Sequence, residues 1–129
     1  MQYELTIYGF NSGLNELIAG RTYDFRTKKY RNWVKNKNDD LCSKQIKQSC
    51  LAGVFIDKPI KIDYSFYVKN KMHDRMNTAS AFIKSFEDSL QKCGVIKNDG
   101  YDYVLTPELS FAVDRGNPRV EIVISVIED

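Results

Sequence analysis

The stretch from His73 to Tyr103, HDRMNTASAFIKSFEDSLQKCGVIKNDGYDY, carries the residues best suited to chemistry. Asp74 stands just before an amphipathic helix, Lys84 and Asp88 lie on it, and Asp99 sits in an Asp-Gly turn past its end. Carboxylates gathered from such a segment can hold a hard divalent cation such as Mg²⁺, which takes oxygen ligands and keeps several waters. That is the chemistry of phosphodiester cleavage. Each residue also has a plainer role: Asp74 lies near a helix N-terminus, although Asn77 is the better-placed cap. Asp99-Gly100 is a common turn pair, and Lys84 with Asp88 has the i,i+4 spacing of a surface ion pair.

The elements that must position these groups are readable from periodicity. Ala79, Phe82, Ile83, Phe86, Leu90 and Cys93 recur at steps of three and four, which predicts a helix over about 77–93 with one core-facing stripe. Gly94 then occupies the position of a left-handed helix end. Asn77, Lys84 and Asp88 share the opposite, exposed line of that helix. Before it, Ile60, Ile62, Tyr64, Phe66 and Val68 alternate strictly with polar neighbours, the pattern of a half-buried strand.

Residues 2–10 alternate likewise and predict a first strand. A short helical turn or loop is expected over 14–18. A polar pattern with sparse apolar positions predicts a helix over about 26–48, with room for an interruption near Asn36 to Asp39. Two last strands, about 103–113 and 120–127, are expected to form an antiparallel hairpin across Asp114 to Pro118. The order β-α-β-α-β-β implies an α+β fold, a mixed sheet with two main helices packed on it. Residues 1–129 read as a single domain with no internal repeat or linker.

Composition agrees with one globular unit: 129 residues, 43% apolar and 12% aromatic, can bury a real core. Without an apolar run of about 18 residues or a signal segment, the expectation is a cytoplasmic protein with no membrane span. Cys42, Cys50 and Cys93 include no C-x-x-C pair, and His73 is the sole histidine, which disfavours a disulfide framework or structural zinc.

Net charge is +2, but it is unevenly spread: residues 1–72 carry 13 Lys+Arg against 7 Asp+Glu, and residues 73–129 carry 6 against 10. The basic excess is densest from Arg21 to Lys37, where Arg21, Arg26, Lys28, Lys29, Arg31, Lys35 and Lys37 interleave with Tyr23, Phe25, Tyr30 and Trp33. Such a segment can pair with phosphates and stack on bases, or it can be a solvated helix face with its aromatics turned inward.

Taken jointly, these motifs resemble a known family. Asp74-Arg75-Met76-Asn77, Lys84 followed by Phe86, Asp88 and Leu90, and Cys93 to Gly100 (CGVIKNDG) resemble the RusA family of Holliday junction resolvases. Its D-x-D-N segment begins a helix with a lysine and, four residues on, an aspartate, followed by A-G and an N-D or D-D turn. Gly13 to Ala19, GLNELIA, is similar to the family's G-L-N-E-Y-I-x loop. The likeness covers roughly residues 3–125.

The resemblance implies a Mg²⁺-dependent endonuclease of phage or prophage type, with Mn²⁺ as a possible substitute, nicking four-way DNA junctions as a symmetric homodimer. It makes Asp74, Asp99 and Lys84 catalytic, with the aspartates holding the metal and Asp88 a further candidate ligand. Contacts to branched DNA are expected from Asn15, Arg21, Arg26, Lys28, Lys29, Arg31, Lys69, Lys71, Arg75, Asn77 and Lys84.

One departure bears on activity. The second aspartate of D-x-D-N is Met76 here, whose thioether is a poor donor to Mg²⁺. The interval from Asn77 to Lys84 is also about one helical turn longer than the family's. Asp88, His73, Glu87 and Asp102, in that order, are the groups that could fill the gap. Otherwise the chain binds junctions without cutting them. An unrelated small-molecule or protein-binding domain is the remaining alternative.

Overall fold

The computed structural model describes residues 1–10, 21–24, 26, 29–69, 75–97, 103–105 and 107–127. Its order is β1 (Gln2–Tyr8), β2 (Arg21–Asp24), β3 (Lys29–Asn32), α1 (Trp33–Lys47), β4 (Ile60–Val68), α2 (Arg75–Lys92), β5 (Val104–Leu105), β6 (Leu109–Val113) and β7 (Arg119–Val126). Strand β4 is central: β7 pairs with it antiparallel on one side, and β5 and β6 pair with it parallel on the other. Strand β1 completes the sheet beyond β7, also antiparallel. The fold is therefore α+β with a mixed five-stranded sheet, plus a separate β2–β3 ribbon.

Alternation along β4 and β7 puts Ile60, Ile62, Tyr64 and Phe66 beside Val120, Ile122 and Ile124 on one buried face. The stripe of α2 seals that face with Ala79, Phe82, Phe86 and Leu90, none of them exposed. Phe82 stacks on Phe86 with centroids 5.7 Å apart and meets Tyr64, Phe66 and Phe10 edge-on at 5.9, 5.7 and 5.0 Å. Helix α2 ends as Gly94 requires. With φ at 73°, Gly94 donates to the Gln91 carbonyl while the Val95 N–H reaches back to Leu90, which caps two of the last carbonyls.

Three expectations change. Residues 29–32 are not helical but form β3, which pairs with β2 so that Asp24 faces Lys29 and Tyr23 faces Tyr30. The backbone ladder between residues 21–24 and 29–32 overrides a weak helical pattern here. Helix α1 begins at Trp33 and runs unbroken through Asn36 to Asp39, because Asn38 and Asp39 turn inward.

The last two strands do not pair with each other. β6 and β7 flank β4, and the segment 114–118 crosses its end, anchored by the Asp114 N–H on the Val68 carbonyl. Arg119 bridges the crossing by donating to Asp114 at 2.8 Å and to the Asn117 carbonyl at 2.9 Å. The strand expected over 103–113 is also split, because Pro107 has no N–H to give a ladder. The expected turn at 14–18 lies outside the described residues.

Truncating Phe82 removes the ring that joins helix to sheet. We expect Phe82→Ala to lower the unfolding free energy by about 3–5 kcal/mol, measured by urea denaturation.

Candidate functional site

The ends of β1, β4 and β7 meet the first turns of α2 at one edge of the molecule. There a cavity of about 360 Å³ is lined by Phe10, Phe66, Val68, Lys69, Thr78 and Arg119, among others. Its floor is the open end of the apolar core. Residue 11 follows Phe10 and residue 70 follows Lys69, so the segments bearing Gly13 to Ala19 and Asp74 both leave from this rim. Asp74 immediately precedes the first residue of α2.

Two cations mark the rim. Lys69 is exposed, whereas Arg119 is committed: its guanidinium lies 3.9 Å over the Tyr67 ring and pairs with Asp114 and Glu121 at 2.8 and 2.9 Å. The hydrogen bond from Arg119 holds the Asp114 carboxyl below its ordinary pKa, against the opposing effect of burial, and the reciprocal bond raises that of Arg119. Both groups are solvated, and their ion pair shapes the crossing loop.

The expected site residues fall in several places. Asn15, Lys28, Lys71, Asp74, Asp99, His73 and Asp102 lie outside the described residues. Arg21 is on β2, Lys29 and Arg31 on β3, and Arg26 in the exposed turn between them, so these basic residues belong to a ribbon and not to a helix. Arg75 and Asn77 are in the first turn of α2, and Lys84 is exposed further along it.

Helix α2 separates what a single metal ion would need together. From Arg75 to Asp88 the helix rises about 20 Å, while Mg²⁺ holds its ligands at about 2.1 Å. The described residues on either side of 98–102 lie at the opposite end of the sheet from the rim. Tyr103 accepts from the Ile60 N–H at the start of β4, and β4 then runs about 30 Å to Lys69 at a strand rise of roughly 3.3 Å per residue.

Asp88 does not stand on an open ridge with Lys84. It accepts from Lys35 Nζ at 2.8 Å, and the same ammonium reaches Asp39 at 2.7 Å. Lys92 adds a second cation to Asp39 at 3.1 Å, and the Ser89 hydroxyl lies within hydrogen-bonding distance of the Asp39 and Ser85 carbonyls at 3.1 and 2.7 Å. Asp39 is 2% exposed, so two cations balance an almost buried carboxylate where α1 meets α2. Lys35, grouped by sequence with the DNA-facing basic residues, thus joins two helices. The signal for this was available: Lys35 and Asp39 are four residues apart on one helix.

Glu87 is likewise engaged, accepting from the buried Tyr64 hydroxyl at 3.3 Å. Burial, and then the neighbouring Glu87 charge, push the Tyr64 phenol well above its ordinary pKa. The Cys42 thiol is pushed up to about 12 by burial and by Asp39, which leaves it neutral and unsuited to metal or nucleophilic chemistry.

Among the described residues no three His, Cys, Asp or Glu side chains converge on a metal position, and no helix is long and apolar enough to cross a membrane. A scan against models of known protein families and a search of curated proteins return no match.

The Lys35 seam carries a pH signature. Burial draws the Lys35 pKa down, but the hydrogen bonds and charges of Asp39 and Asp88 outweigh it and leave it above 10.5. A raised folded pKa means that the stabilisation is complete below the unfolded value and is lost as pH rises through the folded one. Lys35→Met should cost about 1–3 kcal/mol near neutrality, since Asp39 loses one of its two cations. The gap between wild type and variant should narrow above pH 10.5, as followed by urea unfolding across that range.

Proposed function

We propose that the chain is a Mg²⁺-dependent, structure-selective endonuclease of the RusA type, nicking four-way DNA junctions as a homodimer in the cytoplasm of its host. One observation carries the reading beyond sequence resemblance. The two motif-bearing segments, 11–20 and 70–74, are far apart in the chain yet leave from the same rim, beside Phe10 and Lys69. A loop and a carboxylate segment with a common origin can act on one phosphodiester.

In this reading Asp74 and Asp99 are the metal-holding carboxylates, and because their flanks lie at opposite ends of the sheet in one chain, the two would share an ion only across the homodimer. A Mg²⁺ held by these carboxylates would supply polarisation of the scissile phosphate and a lowered pKa for an attacking water. Lys69 at the rim and Lys84 on the exposed line of α2 offset phosphate charge. The β2–β3 ribbon and its turn carry Arg21, Arg26, Lys29 and Arg31, cations of the type that pair with the backbone of junction arms. Binding through these residues weakens steeply with salt, because phosphate neutralisation releases counterions.

The commitment of Asp88 to Lys35 favours a second form of the same reading. With Met76 in place of a carboxylate, and with Asp88 and Glu87 occupied, the ligands left to complete the set are His73 and Asp102. A chain short of one hard donor binds junctions and cuts them slowly.

The decisive measurement is a synthetic four-way junction incubated with protein and Mg²⁺ or Mn²⁺. Paired symmetric nicks are expected, lost by at least about 100-fold in Asp99→Asn, as removal of a metal-orienting carboxylate implies. Asp88→Asn should leave cleavage close to wild type. Met76→Asp should raise it if the missing carboxylate limits the rate. Equal binding to branched and linear duplex, with no products, would sink the proposal.

A further inference from the structure

The cavity at the rim owes its existence to a break in the alternation of β1. Ile7 points into the core and Tyr8 away from it, so the next inward position is Gly9, which has no side chain to fill it. With φ at 83°, Gly9 also swings Phe10 back over the end of the sheet, where its ring meets Phe82 edge-on at 5.0 Å. A gap is left between Phe10 and the first turns of α2.

That gap has an apolar body and a polar mouth. Phe66 and Val120, both nearly buried, form its floor, and the half-buried Phe10, Val68 and Thr78 its walls. About 360 Å³ is near the lower end of the roughly 300–1,000 Å³ that ligand pockets span, room for one ring system and its substituents. Arg119 is spent on Asp114 and Glu121, which leaves the exposed Lys69 as the cation at the mouth. Thr78 is the fourth residue of α2, in the turn whose N–H groups have no carbonyl ahead of them in the helix and favour an anion.

We propose that this cavity takes one nucleotide, its base inside against Phe10 and Val68 and its phosphate at the mouth between Lys69 and the first turn of α2. A base is flat and apolar on its faces and polar at its edge, and the Thr78 hydroxyl can donate to or accept from that edge. Its phosphate is one sugar away, which matches an anion site at the mouth of an apolar pocket. A wholly apolar ligand would leave both Lys69 and Thr78 unmatched. A free nucleotide and an unstacked nucleotide of a DNA strand share this chemistry. The strand as the source rests on the nuclease reading, since a branched DNA offers bases that cost little to unstack; the fit of base and phosphate to the cavity does not.

The test reads binding by the whole chain without added metal, so that cleavage plays no part. A short oligothymidylate should bind about tenfold more tightly than an abasic strand of the same length and charge, the size of one base–aromatic stacking contact. Thr78→Trp fills the cavity and should remove that preference while the circular dichroism spectrum stays unchanged. Phe10→Leu keeps an apolar wall but removes the ring, and decides the matter should the tryptophan variant fail to fold. Contacts to the DNA backbone alone are blind to the missing bases, so equal binding of the two strands by wild type overturns the proposal. A preference that survives in a folded variant overturns it as well. Thymidine 5′-monophosphate then identifies the source: competition at comparable concentration assigns the cavity to free nucleotides, and competition only at large excess assigns it to the strand. A base preference lost in the variants supports the cavity even where a four-way junction is never cut, an outcome that would count against the nuclease reading alone.

Discussion

Strand β4 joins the antiparallel part of the sheet to its parallel part, and the molecule is organised by what its two faces and two edges require. Its strict alternation commits Ile60, Ile62, Tyr64 and Phe66 to one face, and that choice cannot slip by a single residue without exposing all four. The face then demands a cover of matching length. Helix α2 supplies it through Phe82 and Phe86, whose edge-on contacts with Tyr64 and Phe66 fix both the rotation of the helix and its distance from the sheet. Because α2 must run back along β4, its first turn is held at the end where β4 finishes. The rim is a consequence of that packing.

The parts of the fold that are legible in sequence are those where one local signal has no competitor. The alternation from Ile60 to Val68 suits only a half-buried strand, and the stripe from Ala79 to Leu90 with Gly94 behind it suits only a capped helix. Sequence and structure agree at both. Legibility fails where two signals coincide. Residues 29–32 carry a basic, weakly periodic pattern that suits a helix surface, but pairing with residues 21–24 is a long-range matter that no window registers. The loop Asp114 to Pro118 has the composition of a hairpin turn, yet β4 lies between the strands it joins, since pairing with β4 buries Val120 and Ile122 in the core and sets Phe66 against Phe111 at 5.2 Å. A turn motif specifies a reversal of direction and not which strands become neighbours.

The candidate site shows the same division. Spacing alone puts Asp74 at the head of a helix and Lys84 and Asp88 on it, and the helix is there. It does not reveal that Asp88 faces α1, because the partner that claims it is Lys35, 53 residues away in the chain. A half-buried carboxylate beside a cation is more stably used in helix packing than in holding a metal, since removing either charge strands the other. Lys35 is therefore taken from the basic surface and Asp88 from the acidic one.

Edges and ends of the sheet then bear on each other. A mixed sheet whose central strand is followed by a helix and a parallel return necessarily starts its return strand at the far end from the helix N-terminus. Residues just before α2 and residues just before β5 are thus kept apart by the length of one helix in any chain of this topology. Sharing a single metal ion between them requires either a segment long enough to retrace the helix or a second molecule related by a twofold axis. Only five residues, 98–102, separate Lys97 from Tyr103, and the Tyr103 carbonyl is already bonded at the start of β4.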